Sequence, residues 1–574
     1  MSGAGVMAGR AVRPGRVASR LRGWCGRLAP AVLGLALGAL ALGPGLGPGF
    51  VLRYDMVFVP SPPWSASALG LVGGPPRAFP STAVVTALAT VLPAALVQKA
   101  ILLGIFALAA AGAARLLAGA PLLARLAAAA VYVWNPYVAE RLLIGQWALL
   151  LGYAALPWAL HAAARLIPAG GAGADAVWRR AGVLAAALAP AAAGGFAAMT
   201  ICAPTVLAAA VIRRGRRVRA GVTALAVLVA LALPWLVPAL LGPPVTTDPA
   251  GVDAFAARAD TPFGTLGSLL ALGGVWNREV VPSGYGHGPA VYLWLVFVVA
   301  GLATFLWARR LPGRAAMRPG LLAGAVAGYC VAAVGGVAVG RQALRWLVGV
   351  VPAFGVVRDG QRFVAPLALV VALGIGVAVR ALVRACARRE AAGPGRVLGG
   401  LAALVPLMLL PTLAFGAAGR IAAVSYPLDW ARARAVVDGD PAPGVLLVLP
   451  WSAYRGFAWN GGRTVVDPAP MFFGRRVVWN DGLRVGHRTL SPEDPAARAV
   501  TGALARPGPV IGPGGRVTGT SIRVRYVLVE RRPGEGGDRR GRALVENLFQ
   551  GRGLAIFPML KGTDISLYRL VTSR

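Results

Sequence analysis

From about Leu28 to Phe415 the chain alternates long apolar segments with short turns rich in arginine, and beyond that it changes character. Each apolar segment approaches the roughly 20 residues that an α-helix needs to cross a bilayer. Eleven spans are predicted, at 28–47, 98–117, 121–136, 147–166, 181–194, 197–212, 220–241, 289–308, 320–339, 363–383 and 397–416. An unbroken helix over 181–212 would be about 48 Å long, too long for a bilayer. Pro190, Gly194 and Gly195 therefore predict a break between two short spans. Residues 82–97, interrupted by Pro93 and closed by Gln98 and Lys99, are predicted as an interfacial helix on the outer side.

Past residue 417, strand-like runs fall at 444–450, 464–466, 521–530 and 565–571. A helix is predicted over 492–505, opened by Ser491, Pro492, Glu493 and Asp494, and a flexible turn over 534–541. The expected fold class is a polytopic α-helical membrane protein of about 11 transmembrane helices with a small extracytoplasmic α/β C-terminal domain. Its parts are an Arg-rich N-terminus (1–27), a membrane region (28–416) with outer loops 49–97 and 242–289, and the outer domain (417–574).

Composition agrees with this class: 57% of residues are hydrophobic, 14% are charged, and the mean hydropathy is +0.67. The net charge of +37 invites a nucleic-acid reading. The arginines, however, sit at the ends of apolar segments, where they face headgroups and hold topology, so no nucleic-acid partner is expected. With the eleven spans above, the short loops on one side hold only two acids, Asp175 and Glu390, and all other acids fall on the opposite side or in the tail. That asymmetry predicts a multi-pass plasma-membrane protein with a cytoplasmic N-terminus and an extracytoplasmic C-terminal domain. Cys25, Cys202, Cys330 and Cys386 show no metal-ligand spacing, and none lies in the tail. No phosphate-binding Gly-rich loop, nucleophile elbow or zinc helix motif is present.

Chemistry is expected where carboxylates and arginines share the outer side. Asp55, in the run Arg53 to Pro60 just after the first span, is the only acid before Glu140. It reads either as the partner of Arg53 or as a general base that takes a proton from an attacking hydroxyl. Asn135 and Pro136 break the third span, which brings Glu140 and Gln146 to the same surface. Glu140 reads as a contact of Arg141, as a helix N-terminal charge, or as a second carboxylate binding acceptor or metal. Arg341 and Arg345, four apart on one helical face, precede Arg358, Asp359 and Arg362. Such a cluster suits phosphate capture, while headgroup snorkelling accounts for any single arginine. His287, in a glycine-rich turn before the eighth span, reads as a loop or donor contact. Trp451, Tyr454, Trp459 and Trp479 read either as sugar-stacking platforms or as packing.

This organisation resembles the GT-C superfamily of membrane glycosyltransferases. The features that carry the resemblance are the outer loop opening on Asp55, the Pro93 to Lys99 stretch, the Asn135-Pro136-Tyr137 to Gly145-Gln146 turn, and the Arg358 to Phe363 segment. The resemblance implies transfer of a sugar from a polyprenyl-phosphate donor to a cell-envelope glycan or lipid acceptor outside the cytoplasm. The family's first-loop acidic residue maps onto Asp55, which is expected to be the catalytic base, and Glu140 is expected as a second catalytic carboxylate. Arg341, Arg345, Arg358 and Arg362 would bind the donor phosphate, and Gln146, Asp359 and His287 the substrate. The sequence departs from many members in having no second acid beside Asp55; a divalent cation is a possible cofactor and no other is expected. The competing readings are a lipid-linked-glycan flippase, which calls for polar residues deep in the spans, and a non-catalytic protein of envelope assembly.

Overall fold

A computed structural model describes residues 14–74, 78–167, 173–212, 217–241, 248–308, 317–389, 391–486, 488–531, 548 and 554–572. The arginines at 213, 214, 216, 309, 310 and 314, Glu390 and the turn predicted at 534–541 lie outside these residues.

All eleven predicted segments are helical. Among the described residues, seven helices are long and apolar enough to cross a membrane: Gly26–Leu46, Ala94–Leu116, Leu122–Leu143, Arg217–Leu241, Gly288–Trp307, Met317–Gly336 and Gly360–Arg388. The bent pair Gly393–Leu409 and Pro411–Gly419 makes an eighth if it is one span. Trp147–Ala163 and Phe196–Val211 are shorter apolar helices. Small residues let these helices approach closely: a Cβ on Gly152 would stand 2.4 Å from the Ala198 carbonyl oxygen. Arg217–Leu241 leaves Val222, Leu225, Val229, Leu233 and Leu240 exposed at helical spacing, the pattern of a lipid-facing stripe.

The break predicted within 181–212 falls at Gly195, between Ala174–Gly194 and Phe196–Val211. Pro190 stays inside the first of these helices. Gly195 supplies the turn because its φ of +81° is one that other residues rarely adopt. Ser81–Ala89 is a nine-residue helix, too short to span, that leads through Pro93 into Ala94–Leu116.

After the membrane region, Ala423–Val424 pairs antiparallel with Phe50–Val51 and so ties the start of the tail to the first loop. A five-stranded sheet follows, in the order Leu554–Lys561, Ile565–Thr572, Val524–Glu530, Val445–Leu449 and Val477–Val478. Its first three strands are antiparallel, and Val445–Leu449 runs parallel to both of its neighbours. Side-chain alternation sorts the two faces. Leu446, Val448, Tyr526, Leu528, Ile565 and Leu567 share a core with Trp430, Ala433 and Val437 of helix Leu428–Asp438. Leu447, Leu449, Val527 and Val529 pack with Ala496, Val500 and Ala503 of helix Pro495–Leu504. That second helix begins at Pro495, where the Asp494 side chain accepts from Ala496 N at 2.9 Å and caps it. The first of these cores is continuous with that of the membrane helices, so the sheet is rooted in the membrane region.

Candidate functional site

The first-loop acid sits on a tight reversal. Met56 N donates to Arg53 O at 2.9 Å, and Tyr54 lies between them at φ +45°. That turn packs on the one that ends helix Pro136–Leu143. Asn135 caps the helix by accepting from Val138 N at 3.0 Å, with Pro136 in its first turn. At the far end Asp55 N donates to Ile144 O at 3.1 Å, and Arg53 Nε donates to Leu143 O at 3.0 Å. Gly145 makes this contact possible. A Cβ there would meet Met56 N at 2.3 Å and Arg53 O at 2.4 Å, and its φ is +80°. Two motifs 90 residues apart are thus pressed together backbone to backbone, with Asp55 left exposed.

Beneath lies a polar group at the ends of the central helices. Arg141 Nη1 donates to Gln146 Oε1 at 2.9 Å and stands 3.9 Å from Asp359 Oδ2. Arg362 pairs with the same Asp359 oxygen, and the Tyr137 hydroxyl donates to Arg362 O at 2.7 Å. Arg141 and Asp359 are almost wholly buried. So is Gln361, whose amide oxygen and nitrogen both lack partners. Glu140, 1% exposed, faces Asp260 across from Tyr285, and its Oε1 has no partner. Asp260 is held by Gly274 N, which donates to its Oδ2, while its Oδ1 is unpaired. Among the described residues, no three of His, Cys, Asp and Glu converge to hold a metal ion.

The remaining predicted arginines separate from this group. Arg341 and Arg345, on helix Ala338–Val350, reach Asp253 at 3.4 and 3.0 Å, and Arg488 of the C-terminal region reaches it at 3.1 Å. Arg358 stacks on Phe255, pairs with Glu493 at 3.6 Å and passes 3.4 Å from the Cβ position of Gly251. Three of the four expected phosphate ligands therefore gather around the short helix Gly251–Ala254, and Arg362 belongs to the buried group. His287 is exposed, with Nδ1 3.3 Å from the backbone oxygen of Tyr285, two residues before it.

Sequence reasoning missed Asp260, Asp253 and Arg488. For Asp260, the signal was the glycine density at Gly284, Gly286 and Gly288: a Cβ on Gly286 would stand 1.9 Å from Asp260 O. Among the aromatics of the C-terminal region, Trp459 stacks on Phe457 at 5.0 Å within a cluster around the buried Trp430, and Trp451 Nε1 donates to Thr501 Oγ1 at 3.0 Å. Both are engaged in packing. Tyr454 instead reaches the membrane region, its hydroxyl donating to Asp55 Oδ1.

No family model and no curated protein match the sequence. Among solved structures, the chain is similar to the cryo-EM structure of the arabinofuranosyltransferase AftD from mycobacteria. The TM-score is 0.54 at 16% identity, over 96% of this chain and 41% of that one. The two share their overall fold. At this identity the likeness is one of architecture, and the chain spans less than half the length of the AftD chain. With its apolar helices, it is a multi-pass membrane protein.

Proposed function

We propose that the protein is a membrane glycosyltransferase that moves a sugar from a polyprenyl-phosphate donor to a cell-envelope glycan on the extracytoplasmic side. The reading is carried by one observation: within a fold shared with an arabinofuranosyltransferase over 96% of the chain, an exposed carboxylate, Asp55, rests directly on the motif that holds Glu140, Arg141 and Gln146. A furanose, and arabinofuranose first, is the sugar to try.

In this mechanism the acceptor hydroxyl attacks the anomeric carbon. As that C–O bond forms, Asp55 takes the hydroxyl proton, and the anomeric C–O bond to phosphate breaks with its electron pair leaving on polyprenyl phosphate. Arg362 stabilises the negative charge that develops on the leaving phosphate, and the arginines near Gly251–Ala254 hold the donor phosphate equally before and during transfer. Glu140 and Asp260 offer two oxygens, a set that fits Mg²⁺, which takes one or two carboxylates and completes its shell with water and substrate phosphate. Such an ion would neutralise phosphate charge.

Purified protein given a labelled polyprenyl-phosphate arabinofuranose and a synthetic oligo-arabinofuranoside should release polyprenyl phosphate and extend the oligosaccharide. No release with this donor or with other polyprenyl-phosphate sugars would sink the reading. Two further outcomes follow from the geometry. Gly145→Ala, which pushes a methyl into the Asp55 turn, lowers turnover about 100-fold, the cost of a displacement near 1 Å at a reacting group. The pair Arg341→Gln/Arg345→Gln raises the donor KM about tenfold and leaves kcat nearly unchanged, because it removes binding common to ground and transition states. A change confined to kcat would place these arginines in the chemical step.

A further inference from the structure

Asp55 is gripped from the outer domain. Strand Tyr454–Gly456 pairs with Thr464–Val466, Tyr454 lying opposite Val466. The hairpin continues onto the first loop: Tyr54 N donates to Thr464 O at 2.7 Å and Val466 N to Tyr54 O at 3.0 Å. Three chain segments thus form a small sheet whose last rung is the residue before Asp55. Across it the Tyr454 hydroxyl donates to Asp55 Oδ1, and the Tyr54 and Tyr454 rings lie 6.1 Å apart. The next residue, Arg455, points the other way, as alternation requires. There it is buried and pairs with Glu530, at the end of a central strand, and with Asp467 at 3.1 Å. Arg455 also donates to the carbonyls of Pro450 and Ser452. One strand is therefore anchored in the sheet on one face and bonded to the first-loop acid on the other.

We infer that Tyr454 is a positioning residue for Asp55, so that the membrane region and the outer domain together complete the reaction centre. This rests on the reading of Asp55 as the base. The phenol hydrogen bond fixes the carboxylate rotamer and favours the ionised form that accepts a proton. Other charged groups around the turn are Arg53, Arg420, Arg463 and Glu279. Glu279 accepts from the Tyr54 hydroxyl, and Arg420 Nη1 is held at 2.8 Å by Val281 O. Tyr454 is the group that the outer domain's hairpin brings onto the carboxylate itself.

The test compares Asp55→Asn, Tyr454→Phe and a protein with 3-fluorotyrosine at position 454, using the polyprenyl-phosphate arabinofuranose assay across pH. Tyr454→Phe keeps the ring and should lower kcat roughly 10- to 100-fold, with donor KM unchanged. The acid limb of its profile should move up by about one pH unit as the carboxylate loses its donor. The fluorinated phenol, a stronger donor of nearly the same shape, should move that limb the opposite way. Unaltered kcat and acid limb in Tyr454→Phe, beside an inactive Asp55→Asn, would overturn the inference and leave the proposed activity standing. Wild-type turnover in Asp55→Asn would instead remove the base itself. If Tyr454→Phe does not fold, the fluorinated protein decides: an unmoved limb overturns the inference.

Discussion

Asp55→Asn should reduce kcat/KM roughly 10²–10⁴-fold, the usual worth of a positioned general base, while the protein stays folded and monodisperse. The amide has almost the shape of the carboxylate and can still accept from Tyr454, but it cannot take the acceptor proton. The side chain is exposed and the turn is fixed by backbone bonds, Met56 N to Arg53 O and Asp55 N to Ile144 O, so the substitution leaves the scaffold alone. Donor KM should be nearly unchanged, since the arginines proposed to bind the donor, around Gly251–Ala254, lie on other elements. Turnover within a factor of two of wild type would rule out Asp55 as the base.

The second large effect concerns stability. Arg455→Met should destabilise the C-terminal region by about 3–5 kcal/mol, the range for removing one partner of a buried ion pair, read as a fall in thermal or denaturant midpoint. Asp467 and Glu530 are both buried and face one another. Burial, and then the neighbouring Asp467 charge, pushes the Glu530 carboxyl well above the usual range against the pull of Arg455. Burial likewise raises Asp467. A raised carboxyl in the folded state binds its proton more tightly than in the unfolded chain. Its contribution is fully present below the ordinary carboxylate range and is lost as pH rises through the folded value. Without Arg455 both folded values rise further, so the variant's deficit should grow from mildly acidic to neutral and alkaline pH. A deficit that is flat with pH, or below 1 kcal/mol, would mean that the arginine contributes little. Because Arg455 and Tyr454 share a strand, turnover should fall as well.

Much of the architecture was legible in the sequence because its signals are local. A run of apolar residues near bilayer length announces a helix, and the strands at 445–449, 464–466, 524–530 and 565–572 follow from short β-branched runs. The break at Gly195 was legible because glycine is needed at that φ. Arg341 and Arg345, read as sharing a helical face, do share one, and it closes on Asp253. The groups that meet across the fold were not legible. Tyr454 and Asp55 are 399 residues apart, and nothing near either position announces the other. Asp260 and Asp253 lie in a Pro- and Gly-rich loop whose path periodicity does not fix. Arg358 and Arg362, four apart in sequence, serve two different clusters because two successive 3₁₀ turns, Pro352–Val357 and Gly360–Val364, turn them to different neighbours.

One experiment bears most directly on direct transfer with Asp55 as the base. Donor labelled with ¹³C at the anomeric carbon is incubated with protein and oligosaccharide, and the configuration of the new glycosidic carbon is read by NMR. A single displacement by the acceptor hydroxyl predicts a product anomer inverted relative to the donor. A retained anomer, or a donor resonance that never changes, would contradict it.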